Sequence, residues 1–220
     1  MREMLDTDSG TSAEVAASMR DLRWFNRWFG GISTTRHLLR EASLLTGEKT
    51  ITVLDVAAGD GFIADALRRE FADSGINLQF TLLDRCASHL PRNETMPKVA
   101  ADALKLPFAD SSFGFVSCSL FLHHLAPQEV VAFGREALRV SKHAVLVHDL
   151  VRNPVHLAFA YAGLPLYRSR ITRNDAPASV RQAYTIDEMS GFFREAGAAD
   201  VHARRHFFYR MGIIARKARP

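Results

Sequence analysis

At 220 residues the chain is long enough for one substantial core and too short for a second catalytic domain, and with 47% hydrophobic and 24% charged residues it reads as an ordinary folded protein, neither disordered nor fibrous. No apolar run approaches the roughly 20 residues a membrane-spanning helix needs. MREMLDTDSG at residues 1–10 also lacks the basic-then-apolar order of a signal peptide, so a cytoplasmic protein is expected. The net charge of +4 and pI of about 9.3 raise nucleic acid as a partner, but the basic residues are dispersed apart from modest clusters at Arg204-Arg205 and Arg216-Lys217-Arg219, so none is expected.

In chain order, SAEVAASMRDLRWFNRWF (12–29) reads as a helix stopped by Gly30-Gly31, and STTRHLLREASLL (33–45) as a second. Together they suggest an N-terminal helical cap over residues 1–46, ahead of a main domain at 47–220. Trp24, Phe25, Trp28 and Phe29 equip the first helix to pack on that domain or to roof a site. From Ile51 onward short apolar runs alternate with amphipathic ones, the pattern of βαβ units and a largely parallel sheet.

ITVLDV (51–56), LQFTLLD (78–84), PKVAAD (97–102), FGFVSCSL (113–120) and HAVLVHDL (143–150) read as five strands. A helix follows Gly61, and another starts at Pro127, whose missing N–H would be unpaired in a first turn anyway. Pro154, Gly163 and Pro165 then break the rhythm, which suggests a helical lid inserted at about 154–175. Thr185 and Glu188 form a capping box for a helix to about Ala196. ADVHARRH and FFYRMGIIARK are two strands joined so tightly that they must be antiparallel. The expected fold is α/β, Rossmann-like and doubly wound, with a mostly parallel seven-stranded sheet and an antiparallel C-terminal hairpin.

The loop after the first strand, Gly59-Asp60-Gly61-Phe62-Ile63-Ala64, satisfies the dinucleotide pattern G-x-G-x-x-A, and Asp84 stands where a ribose-binding acid belongs. Its company argues against a pyrophosphate. Asp55 ends the first strand and Asp60 sits between the glycines, and a carboxylate about 5 Å from a phosphate charge repels it by a few kcal/mol at an effective dielectric near 20. S-adenosylmethionine carries an ammonium and a sulfonium, so the same acids attract it. Asp84 would then accept both ribose hydroxyls, and Asp102-Ala103 would meet the adenine edge.

VLDVAAGDG resembles the glycine motif of class I S-adenosylmethionine-dependent methyltransferases, LLD their ribose-binding strand end, and ADALKLPFADSSFGFVSCSLFLHHL their adenine-binding stretch and fourth strand. The similarity extends over about residues 50–150 and is closest to the small-molecule group that includes quinone-biosynthesis enzymes. It implies S-adenosylmethionine as cofactor, S-adenosylhomocysteine as product, and a cofactor site of Asp55, Ala57, Gly59, Asp60, Gly61, Asp84, Arg85, Asp102, Ala103 and Ser119. Ala57 departs from the family's pattern, which has a glycine there; alanine costs backbone freedom and narrows the space beside the methionine tail. More loosely, DLRWFNRWFGG and SRITRNDAPASVRQAYT resemble methyltransferases of bacterial polyketide clusters with a type III synthase. That implies an aromatic polyketide or related phenol as acceptor, with O-methylation preferred to C-methylation.

Methyl transfer is an in-line displacement that positioning alone accelerates, and a histidine that deprotonates a phenol adds about 10²- to 10⁴-fold. His123 and His124 after the fourth strand and His148 at the end of the fifth are the candidate catalytic residues. His123, His156, Phe159, Tyr167, Arg173 and Tyr184 are the candidate acceptor-binding residues, although arginines such as Arg173 are more often solvated surface groups. Adjacent histidines seldom point two rings at one ion, and Cys86 and Cys118 lack a C-x-x-C partner, so neither a metal nor a disulfide is expected. The expected partner is a small-molecule acceptor, with no membrane insertion, and the protein is a monomer or homodimer. The rival readings are a methyltransferase of RNA or protein, an NAD-dependent oxidoreductase, and a protein that binds S-adenosylmethionine without transferring the methyl group.

Overall fold

The computed structural model describes residues 11–91 and 95–218. Helices α1 (Ser12–Trp28) and α2 (Gly31–Thr46) precede strand β1 (Thr50–Val56), α3 (Phe62–Asp73), β2 (Asn77–Asp84), β3 (Lys98–Ala100) and β4 (Phe113–Ser119). Then follow α4 (Pro127–Val140), β5 (Ser141–Leu150), α5 (Pro154–Ala162), α6 (Arg170–Gln182), α7 (Ile186–Glu195), β6 (Asp200–His206) and β7 (Arg210–Arg216). The seven strands form one sheet in the order β3-β2-β1-β4-β5-β7-β6. All pairs among β1 to β5 are parallel, whereas β7 runs antiparallel to both β5 and β6. The sheet is the expected one.

Period-two alternation sorts the strand residues between two cores. Val53, Phe115, Leu146 and Ile214 pack with Leu38 and Leu39 of α2 and Leu67 and Phe71 of α3. Their neighbours Leu54, Val116, Val147 and Ile213 pack on the other face with Val130 and Phe133 of α4 and Met189 and Phe193 of α7. Helix α1 rests on α2 and α6, and α5 on α6, above the carboxyl edge of the sheet.

Two elements differ from expectation. β3 shrinks to Lys98–Ala100, and α6 begins within the expected insert and runs past it, with Pro177 inside it. That proline donates no N–H to the turn before it, which is why helical periodicity is hard to read there. The helix is held instead by the Ser169 cap, whose Oγ accepts from Ile171 N at 3.1 Å, and by burial of Ile171, Thr172 and Ala178.

Residues 1–10 of the expected cap, with the signal-peptide reading of that segment, and Arg219 lie outside the described residues. Among those described, no helix is long and apolar enough to cross a membrane.

Candidate active site

Strand β1 enters the carboxyl edge and turns at once. Ala57, Gly59 and Gly61 all take left-handed backbone, with φ of 56°, 53° and 69°. The turn brings Ala58 N to Leu83 O at 3.1 Å and Gly59 N to the Asp84 carboxylate at 3.0 Å. Cys86 N donates to the other Asp84 oxygen at 3.0 Å. One carboxylate therefore ties the loop after β1 to the loop after β2. Burial by itself would raise Asp84, but hydrogen bonds from His89, Cys86 and Gly59 outweigh it and hold the carboxyl below its usual range, so it is ionised.

Asp55 behaves oppositely. It is buried with a hydrogen bond from Ser117 Oγ at 2.6 Å, and burial pushes its carboxyl from 3.8 up to about 6. Asp60 is spoken for: one oxygen accepts from Phe62 N at 3.1 Å, and the other pairs with Arg23 of α1 at 2.7 Å. Arg23 also lies 5.7 Å above the Phe62 ring, so α1 is fastened to the glycine loop.

Of the other residues assigned to the cofactor, Arg85 is exposed, and exposed Asp102 accepts from Leu104 N at 2.9 Å. Ala103 packs against the core beneath it. Ser119 ends β4 with its Oγ 3.4 Å from Thr35 of α2.

Of the three candidate histidines, His148 lies apart from His123 and His124. His148 pairs in register with Ser119 and shares a face with it, toward α2, where its Nδ1 lies 3.4 Å from Thr35 Oγ1. Burial, with the charge of Arg210 adding to it, pulls His148 down to about 3, so the ring is neutral. His123 follows β4 and is held by Asp149, which is next to His148 in β5 and therefore points to the opposite face. His123 Nδ1 lies 2.6 Å from Asp149 Oδ1, and its backbone N–H donates to Oδ2 at 3.2 Å. The His124 ring packs against that of His123 at 4.2 Å.

The acceptor candidates divide as well. His156 stacks on Tyr209 at 5.2 Å, Phe159 meets Phe208 at 5.2 Å, and Tyr167 meets Phe25 of α1 at 5.5 Å. With Phe29 against Phe208 at 5.3 Å, these rings form an aromatic wall joining α1, α5 and the β6–β7 turn. The Tyr167 hydroxyl donates to Ala160 O at 2.9 Å. Burial pulls His156 down to about 4.

Tyr184 lies elsewhere, in the core with α4 and α7, its hydroxyl donating to Leu125 O at 2.6 Å. Arg173 is exposed, donates to Tyr167 O at 3.2 Å, and lines an open groove of about 560 Å³ with Leu164, Pro165, Arg170 and Asn174. That groove contains none of the strand-end acids or histidines.

Sequence reasoning missed Thr35, Arg23, Asp21 and Arg210, ordinary residues whose partners are distant in the chain. It also missed that Asp84, Cys86 and His89 each bring a donor atom within 4.8 Å of the others. Asp84 is there already engaged by two backbone N–H groups. Cys118 is buried, and burial raises its thiol well above the usual range.

A seven-stranded sheet in this order, with a hairpin at one edge and acids at the tips of β1 and β2, defines the class I methyltransferase fold. Residues 54–147 match the family described as methyltransferase domain. Over 107 residues the chain is 37% identical to the demethylmenaquinone methyltransferase of Corynebacterium urealyticum, covering 47% of this chain and 41% of that protein. Among solved structures, the S-adenosylmethionine-dependent methyltransferase SibL in its apo form superposes with a TM-score of 0.58 at 21% identity, over 77% of this chain and 51% of that one. The plantazolicin methyltransferase BpumL, solved with a monoazolic desmethylPZN analog and SAH, superposes with a TM-score of 0.70 at 10% identity, over 98% of this chain and 93% of that one. The chain spans less than half of the curated relative it matches. Its fold is the Rossmann-like one of these methyltransferase structures, and residues 54–147 match the methyltransferase-domain family, in line with the motifs.

Proposed function

We propose that the protein transfers a methyl group from S-adenosylmethionine to the oxygen of a small, largely apolar aromatic or polyketide-like acceptor, leaving S-adenosylhomocysteine. The observation that carries this reading is the pair of acids at the tips of β1 and β2. Asp84 is ionised and locked to a loop N–H, and Asp55 is a buried acid with one hydroxyl donor. That pair suits an adenosine with a cationic tail and repels a diphosphate. Asp84 would take the ribose hydroxyls, and Asp55 with Ala57, Gly59 and Gly61 would border the methionine end. The donor supplies an electrophilic methyl on a sulfonium.

The protein's own contribution is positioning, desolvation and one proton transfer. Asp149 holds His123 by Nδ1, which favours the tautomer with Nε2 as the accepting nitrogen and makes His123 the candidate base for an acceptor hydroxyl. His148, neutral and depressed to about 3, is suited to hydrogen bonding rather than to proton abstraction at neutral pH. Residues 11–46 and 154–175 act as cap and lid, and the aromatic wall between them suits an apolar ring, in keeping with a relative named for a quinone and a structural neighbour named for plantazolicin.

Calorimetry with S-adenosylmethionine and NADH tests the first half of the reading, and tight NADH binding without S-adenosylmethionine binding would sink it. Incubation with labelled methyl donor and a panel of phenolic polyketides, quinols and fatty acids tests the second. Donor binding with no labelled product across the panel would favour a non-catalytic binder.

A further inference from the structure

Arg210 opens β7 opposite Leu150, the last residue of β5, so it projects to the face that His148 occupies two residues earlier. It is 5% exposed. Its Nε donates to Phe29 O at 3.0 Å, at the corner between α1 and α2, but its Nη1 is buried without a hydrogen-bond partner. Burial lowers its pKa only to about 10, so the guanidinium is charged at neutral pH.

Among the described residues no carboxylate is in ion-pair contact with it, and only the charge of Asp149 acts on it from a distance. Asp149 points to the other face and is committed to His123 and to the N–H of Leu150. On its own face it meets the Phe29 carbonyl from α1, His206 in register on β6, and His148 from β5 and His156 from α5, both of the latter imidazoles depressed further by the arginine itself. His148 Nε2 is a second buried atom without a partner on that face. A bond to Phe29 O explains one N–H of the side chain. A buried, charged N–H left over costs more than a neutral one.

Resting on the methyltransferase reading, we propose that Arg210 is the residue that binds a carboxylate on the methyl acceptor, with His148 beside it. Its position suits the role: cap, β5 end and lid meet around it, and a guanidinium matches a carboxylate in geometry as well as charge. Arg168, Arg170 and Arg173 are exposed by comparison.

The test uses the whole protein with S-adenosylhomocysteine, titrated calorimetrically with 2,4-dihydroxybenzoate and with its methyl ester. Wild type is expected to bind the acid at least about tenfold more tightly than the ester. Arg210→Met is expected to abolish that preference while binding S-adenosylhomocysteine as wild type does, and Arg210→Lys to restore part of it. Equal binding of acid and ester by wild type, no binding of either at millimolar concentration, or a preference that survives Arg210→Met would overturn the proposal. The last result would leave Arg210 as a fastener of the α1–α2 corner. If Arg210→Met fails to fold, Arg210→Lys decides, and a preference left undiminished in that variant overturns the proposal. Failure to bind S-adenosylhomocysteine would count against the methyltransferase reading, whereas the acid–ester preference of the unloaded protein still reports on Arg210.

Discussion

Asp55 and Asp84 end neighbouring parallel strands, yet burial raises one carboxyl and hydrogen bonds lower the other. For Asp55 the folded value of about 6 lies above the ordinary 3.8, so its ionised form is disfavoured by folding and stability falls as pH rises between them. Asp55→Asn is therefore expected to stabilise the protein without ligand at pH 7, by up to ~3 kcal/mol. It should also weaken binding of S-adenosylmethionine about tenfold or more, through loss of the charge. Urea unfolding and calorimetry would check both, and a variant less stable than wild type at pH 7 would refute the desolvation account. Ala57 carries a Cβ at φ 56°, in the left-handed region. Relief of left-handed strain, partly offset by glycine's extra freedom when unfolded, should make Ala57→Gly more stable by ~0.5–1 kcal/mol. Thermal unfolding would show this as a raised midpoint. Leu120 and Tyr209, at 55° and 54°, lie on the same edge of the sheet, whereas Ser111, at 54°, precedes β4 at the opposite edge.

Helices α1 and α2 are tied to the rest by polar contacts as much as by aromatic rings. The Asp21 carboxylate accepts from Arg168 N at 2.9 Å and Ser169 N at 3.1 Å, and Ser169 Oγ donates to Glu14 O at 3.1 Å. The cap thus organises the start of α6. Asp21→Ala would leave two N–H groups without their acceptor and is expected to cost about 2–3 kcal/mol. Limited proteolysis should then cut faster within residues 163–169, and unchanged cleavage would show that the two elements are not coupled. Between α1 and α2, a Cβ on Gly30 would lie 2.0 Å from Phe207 O with φ at +88°, whereas one on Gly47, at φ +66°, meets nothing within 4 Å. Gly30→Ala should therefore destabilise by more than ~2 kcal/mol and Gly47→Ala by only about 1 kcal/mol. Denaturant midpoints of the two variants would decide. The long, periodic helices were legible in the sequence with near-correct bounds, and α6 was not, because its burial face is interrupted by Pro177.

At the scale of the molecule, one sheet separates two apolar cores, and most of its buried titrating groups sit near one edge. His148 and His156 are pulled from 6.5 to about 3 and about 4, so the unfolded chain binds their protons first. Their contribution is complete above about pH 6.5 and is lost as pH falls toward those folded values. Asp55 works the other way between about 6 and 3.8, where the folded state takes up a proton first. Two histidines against one carboxylate leave a net loss of ~1 kcal/mol per pH unit over that range. Urea unfolding at pH 7 and pH 5 should show wild type weaker at the lower pH, and His148→Asn should flatten the dependence. A wild type equally stable at both would contradict it.

The glycine loop, the acids at two strand tips, the parallel strands and the closing hairpin were determined by the sequence itself, because each is encoded by neighbours a few residues apart. Periodicity also states that a side chain is inward, but not which partner it meets there. That was left to the order of strands and the parity of their register. His123 and His148 read as one cluster, yet they lie on opposite faces because Asp149, which holds the first, is one residue from the second. Arg210 meets Phe29 across 181 residues, Asp21 meets Arg168 across 147, and Arg23 meets Asp60 across 37. Such contacts exist only once the apolar faces have packed, and so only the tertiary structure could decide which polar groups converge on the site.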